Sequence, residues 1–140
     1  YSLLGDGEIE EGQVWEAAQF AAHYKLDNLV CFVDSNKRQL DGAVEDIMSH
    51  GKGLRAKFDA FGWNAIELED GNDVEQIYDA VQEAYATKGQ PTAIILNTIK
   101  GKGATFAEST GAHSSQPTPE QWEEAIAAAE AELAAVKAAK

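Results

Sequence analysis

The sequence predicts an α/β fold: a doubly wound, mainly parallel sheet with helices on both faces. Three observations predict it. Short apolar runs alternate with stretches whose apolar residues recur at helical spacing, the pattern of parallel βαβ units with right-handed crossovers. The run 29–33 is apolar throughout, as in a strand buried on both faces. The chain of 140 residues is 44% hydrophobic and 25% charged, the composition of a globular domain and not of a disordered chain.

The elements follow in order. Tyr1-Ser2-Leu3-Leu4 reads as the tail of a strand and stops at Gly5-Asp6-Gly7. Val14, Ala17, Ala18, Ala21 and Ala22 lie at three- and four-residue spacing and predict a helix over 13–24. The stripe is mostly alanine, so something packs closely on it. The apolar strand 29–33 ends at Asp34-Ser35-Asn36, and Asp41-Gly42 is a turn signal. The stretch from there to Gly53 reads as irregular. A short helix over 54–61 ends at Gly62, because glycine tolerates the left-handed conformation at a helix C-terminus.

Residues 64–68 read as a strand. Asn72 with Glu75 resembles a capping pair. Val74, Ile77, Val81 and Tyr85 then mark a helix closed by Lys88-Gly89. Pro91 opens a strand over 92–96. Gly, Ser and Thr dominate 101–116, which reads as a loop. Thr118-Pro119-Glu120-Gln121 is a helix start, with a capping Thr, Pro in the first turn and a Gln able to reach back. That helix runs over 119–138. No internal repeat and no linker-bounded second domain are visible. Four strands make a thin sheet, so the expectation is a fragment of a larger one, lacking its N-terminal part.

Charge narrows the function. Eleven Lys and Arg face 24 Asp and Glu, a formal net charge of -13. Such a chain lacks the clustered cations that hold a nucleic-acid backbone or an anionic membrane surface. An anionic ligand must be held locally, by a metal ion, main-chain N–H groups or a few lysines. The one cysteine, Cys31, sits inside the apolar run as a buried side chain; it excludes an internal disulfide and a cysteine zinc site. No apolar run approaches the roughly 18 residues of a membrane span, and no signal peptide is visible. The default location is cytoplasmic.

In an open parallel sheet, ligands bind beyond the C-terminal ends of the strands. Gly5-Asp6-Gly7 follows the first strand and Asp34-Ser35-Asn36 the second. If those strands are neighbours, Asp6 and Asn36 converge although thirty residues separate them. A carboxylate and an amide oxygen are hard ligands, and with water and phosphate oxygens they suit Mg2+ and not zinc. Gly5 and Gly7 let the main chain approach an anion, and Gly7 leads to a helix N-terminus that favours phosphate. Taken alone, Gly-Asp-Gly is the composition of a plain turn; the combination carries the functional reading.

That combination, Gly-Asp-Gly with Asn about thirty residues later, resembles the thiamine-diphosphate enzymes. The run 5–18 is similar to the transketolase family, specifically to the N-terminal subunit of a split transketolase. So are His23-Tyr24-Lys25-Leu26-Asp27-Asn28-Leu29, the run 34–42, Phe61-Gly62-Trp63 and Lys100-Gly101-Lys102-Gly103. The resemblance covers the chain to about Gly103; the last helix matches only loosely. It implies thiamine diphosphate and Mg2+ as cofactors. Asp6, Asn36 and the main-chain carbonyl of Arg38 would hold Mg2+, and Gly5, Gly7 and Glu8 would approach the diphosphate. Leu40 would pack on the thiazolium ring. Glu11 would join the hydrogen-bonded link between two active sites at a dimer interface. His113 would stand near the diphosphate and substrate, although relatives show His-Gly where this chain has His113-Ser114.

Lys100 and Lys102 would add positive charge near the phosphates, or serve simply as exposed loop lysines. His23 reads as structural, and His50 receives no role. The resemblance also implies an upstream segment with further histidines and a pyrimidine-binding domain or subunit, neither of which is among these residues. Residues 1–140 are thus expected to be the C-terminal part of a diphosphate-binding domain, in a homo-oligomer acting on sugar phosphates. The alternatives are a 1-deoxyxylulose-5-phosphate synthase, against which Gln13-Val14-Trp15-Glu16 and Gln39-Leu40-Asp41-Gly42 speak, and a non-catalytic binding or assembly module.

Overall fold

The computed structural model describes residues 1–108 and 116–139, which fall in two compact units, 1–98 and 99–140. In the first, β1 (Ser2–Gly5), β2 (Val30–Asp34), β5 (Asn64–Leu68) and β6 (Thr92–Leu96) form one sheet in the order β1-β2-β6-β5. Every neighbouring pair is parallel. The β1–β2 register pairs Gly5 with Asp34, so both strands end at one level and the loops after them emerge side by side.

Side-chain alternation along the strands builds two cores. On one face Cys31, Val33, Ala65, Ala93 and Ile95 pack with α1 (Gly12–His23) and α3 (Leu54–Ala60), through Ala18, Ala21, Leu54 and Phe58. On the other, Val30, Ile94 and Leu68 pack with Ala80 and Ala84 of α4 (Val74–Ala86). Helices therefore cover both faces, as the unbroken apolar run of β2 required. The alanine stripe of α1 is explained by Trp63, whose indole N–H donates to the Ala18 carbonyl at 2.9 Å. Only Ala18 and Ala21 of that stripe are fully buried, and Ala17 is exposed.

Three local expectations are corrected. The stretch from Asp41 to Gly53 is regular in its first part: β4 (Gly42–Ala43) pairs antiparallel with β3 (Arg38–Gln39), and a single helical turn, α2 (Val44–Ile47), follows before the irregular 48–53. Runs of two residues are too short to show a period. The cap of α4 is Asp73, not Asn72; its carboxylate accepts from the Glu75 and Gln76 N–H groups at 2.8 and 3.3 Å. Of the expected stripe of α4, Ile77 and Val81 pack against the core beside buried Ala80 and Ala84, while Val74 and Tyr85 are exposed. Gly62 does end α3 with φ of 84°.

In the second unit, α5 (Pro119–Ala138) begins as expected. Thr118 Oγ1 accepts from the Gln121 N–H at 3.3 Å, and the Gln121 side chain accepts from the Thr118 N–H at 2.8 Å. Among the described residues, no helix is long and apolar enough to cross a membrane.

Candidate functional site

Parallel pairing carries the chain past the strand ends and into the site. The Asp6 N–H continues the β1–β2 ladder by donating to the Asp34 carbonyl at 3.1 Å. The Asp6 side chain is then turned inward, with only 1% of the residue exposed. A buried carboxylate needs donors, and two main-chain groups supply them. The Gly7 N–H reaches Oδ1 at 2.9 Å, and the Lys37 N–H reaches Oδ2 at 2.6 Å. Burial raises the Asp6 carboxyl above the usual Asp range, and nearby Asp34 adds to that; the Lys37 and Gly7 N–H groups oppose it.

The loop after β2 is organised by its own side chains. The Asn36 amide nitrogen donates to Asp34 Oδ2 at 2.9 Å, and its amide oxygen accepts from the Arg38 N–H at 2.9 Å. Thr98 Oγ1 donates to the other Asp34 oxygen. Asp34 thus fixes which end of the Asn36 amide is presented. The Lys37 ammonium donates to Ser35 Oγ at 2.6 Å and to Asn97 Oδ1 at 2.8 Å. Asn97 in turn donates to the Leu68 carbonyl at 2.8 Å, joining the ends of β5 and β6 to the same cluster.

Beside Asp6 lies a cavity of about 320 Å³, with Ser35, Lys37, Arg38, His50 and Glu67 among its lining residues. His50 Nδ1 is 3.3 Å from the Lys57 ammonium. Burial first, then the Lys57 charge, lower its basicity, while the Asp6 main chain and the Asp6 and Glu10 carboxylates pull the other way.

Gly5, Asp6, Gly7, Asn36 and Arg38 are therefore brought together as expected. Gly7 leads into a one-turn 3-10 helix, Glu8–Glu10, and not directly into α1. The Glu8 carboxylate accepts from the Gly5 N–H at 3.2 Å. Gln39 donates to Glu10 at 3.0 Å and stands against Gly7, where an added Cβ would meet Gln39 Cβ at 2.7 Å. Leu40 is 72% exposed at the β3–β4 turn. Glu11 is exposed at the start of α1, its carboxylate taking the Gln13 amide at 2.5 Å. His113 lies outside the described residues. In the second unit, Lys100 is half-buried and Lys102 exposed. Asp34, Ser35, Lys37, Asn97 and Thr98 were given no role by the sequence. Asp34 and Ser35 stand inside the motif that marked the loop; Lys37, Asn97 and Thr98 carried no signal of their own.

The donor set tests the fit to a metal. Among the described residues no cluster of three His, Cys, Asp or Glu side chains could hold one. A buried carboxylate, an adjacent amide oxygen and a main-chain carbonyl are an incomplete hard-oxygen set. They would suit Mg2+, with water and ligand phosphate able to supply further oxygens.

Comparison with known proteins gives the arrangement relatives. The profile described as "Transketolase, thiamine diphosphate binding domain" matches residues 1–134. A 6-deoxy-6-sulfo-D-fructose transketolase subunit from a Clostridium species is 44% identical over 133 residues, 94% of this chain and 48% of that protein. One of the subunits of the apulose-4-phosphate transketolase of Phocaeicola vulgatus is 40% identical over 90% of this chain and 44% of its own length. The chain thus spans less than half the length of these curated relatives. Among solved structures, the transketolase of Campylobacter jejuni superposes with a TM-score of 0.79 at 31% identity, over 88% of this chain and 19% of that one. A Pichia stipitis transketolase variant in complex with fructose 6-phosphate gives 0.78 at 32% identity, over 85% and 18%.

Proposed function

Because this chain belongs to the transketolase family, through its thiamine diphosphate binding domain, we propose that it supplies the diphosphate and metal half of a transketolase active site. The whole protein would transfer a two-carbon ketol unit between sugar phosphates. The observation that carries the reading is the Asp6 carboxylate, buried at the paired ends of β1 and β2 and clasped by the loop that presents Asn36.

Asp6, Asn36 and the Arg38 carbonyl hold Mg2+ in this reading, and the Gly5, Gly7 and Glu8 main chain lies against the diphosphate. The ion, held by the buried carboxylate, offsets the phosphate charge that a chain of net charge -13 would otherwise repel. Bound there, thiamine diphosphate supplies the nucleophile for the donor ketone and the electron sink for its cleavage. Leu40, exposed on its hairpin, is free to pack on the thiazolium ring. In this reading His113 would stand near the diphosphate and substrate. Glu11 reaches a second copy. Residues 1–140 form the C-terminal part of the diphosphate-binding domain, and a pyrimidine-binding domain or subunit completes the site, as the split-subunit relatives' names support.

The test is turnover by the full-length protein assembled with its pyrimidine-binding partner. Ketol transfer from xylulose 5-phosphate to ribose 5-phosphate is expected, dependent on both thiamine diphosphate and Mg2+. Turnover of pyruvate with glyceraldehyde 3-phosphate instead would make it a 1-deoxyxylulose-5-phosphate synthase. Binding without any turnover would make it an assembly module.

A further inference from the structure

Among the described residues, two non-glycine residues have positive φ, Lys25 at 53° and Lys37 at 64°. A side chain in this region is disfavoured because Cβ crowds the following carbonyl. Lys25 has an ordinary reason: it follows the C-terminus of α1, where its N–H closes the helix on the Ala22 carbonyl at 3.1 Å. Lys37 has no helix to end. It stands between Asn36 and Arg38, and its N–H makes the 2.6 Å bond to Asp6 Oδ2.

The Lys37 side chain shows what offsets the disfavoured backbone. Its ammonium is tied at 2.6 Å to Ser35 Oγ and at 2.8 Å to Asn97 Oδ1. Neither acceptor is loose. Ser35 is buried, and its N–H donates to the Leu96 carbonyl at 2.8 Å. Asn97 donates to Glu67 at 3.1 Å and to the Leu68 carbonyl at 2.8 Å. One side chain therefore spans from the loop after β2 to the ends of β6 and β5. It leaves the N–H of the same residue aimed at Asp6.

We infer that Lys37 is a positioning residue of this site: its tethered ammonium holds residue 37 in the left-handed conformation that clasps Asp6 and sets Asn36 and Arg38 on either side of it. The inference rests on the function proposed above and deepens it. Lys37 is not a metal ligand here; it acts through the loop.

The tether and the bare charge of Lys37 make different predictions, because glycine adopts a φ of 64° without cost. Lys37→Met removes the tether and keeps the backbone penalty. Lys37→Gly removes both. Lys37→Arg keeps a donor long enough to reach both acceptors. Ser35→Ala removes one anchor and leaves the charge in place. The measurement is Mn2+ binding to the full-length assembled protein with thiamine diphosphate present, by calorimetry and by the electron paramagnetic resonance spectrum of the bound ion.

The expected order is wild type and Arg tightest, Gly next, and Met weakest, about tenfold below wild type. Ser35→Ala should weaken binding too, and the Met variant should show a broadened Mn2+ spectrum. Met binding as tightly as wild type overturns the inference. So does Gly as weak as Met together with an unaffected Ser35→Ala, the pattern of a charge acting alone. Should Lys37→Met fail to fold, Ser35→Ala decides: weakened Mn2+ binding supports the tether, and binding as in wild type overturns it. Wild type that binds no cofactor with Mn2+ overturns the proposed function and this inference together. Wild type that binds, with indifferent variants, overturns the inference alone.

Discussion

The main-chain N–H of Lys37 donates to Asp6 Oδ2 at 2.6 Å, bridging two loops 31 residues apart in sequence. The β1–β2 register makes the bridge possible, since it ends both strands at one level. A carboxylate so fixed is placed before any ligand arrives. Less ordering is then left for binding to offset.

Asp34 should matter as much as the residues it orients. It takes the Asn36 amide N–H on one oxygen and the Thr98 hydroxyl on the other. Asp34→Ala leaves the Asn36 amide oriented by the Arg38 N–H but without its Asp34 anchor, and leaves the Thr98 hydroxyl without that acceptor. Cofactor affinity in the presence of Mg2+ should fall about 10- to 100-fold, as on loss of other groups that orient a metal ligand. Calorimetric titration checks this, and unchanged affinity would remove Asp34 from the account.

Gly7→Ala should destabilise the fold. The new Cβ would stand 2.7 Å from Gln39 Cβ, the inner end of that side chain, which cannot swing away without moving the β3–β4 hairpin. Overpacking of this kind costs about 1–3 kcal/mol. Urea unfolding should show a lowered midpoint at an unchanged slope, with cofactor binding weakened because Gln39 also holds Glu10.

The cap of α4 predicts a pH dependence. The Gln76 side chain, then the Gln76 and Glu75 N–H groups, hold the Asp73 carboxyl below the usual Asp range. A carboxyl lowered by folding stabilises the fold fully above its unfolded pKa. It loses that contribution as pH falls through the ordinary Asp range to the lowered value. The melting temperature of wild type should therefore exceed that of Asp73→Ala at neutral pH, and the gap should narrow in acid. A gap that stays constant with pH would mean that the carboxylate is not what caps the helix.

Much of this was legible before the structure. The strands over 64–68 and 92–96 and the helix over 119–138 stand where their apolar runs and caps placed them, because each has a strong local signal. That the loops of Asp6 and Asn36 meet was legible, because both follow strands expected to be neighbours; Arg38 was named only through the family resemblance. The hairpin at Arg38–Gln39 was not legible, since two-residue strands carry no period. The Asp73 cap was missed by one position, because Asn72 and Asp73 are both good capping residues and only the direction of the entering chain separates them. Lys37 was not legible at all. Nothing in a sequence marks a lysine as left-handed, and its acceptor Asn97 lies sixty residues away.

The central claim is that Asp6 and Asn36 hold a metal ion that fixes the diphosphate. Its most direct test is titration of thiamine diphosphate into the full-length assembled protein, with Mg2+ and with chelator, for wild type, Asp6→Ala and Asn36→Leu. Wild type should bind tightly only with Mg2+, and both variants should lose that dependence, because a hard cation cannot replace a lost oxygen ligand with carbon. Variants that bind as wild type does, with the same gain from Mg2+, would contradict the account.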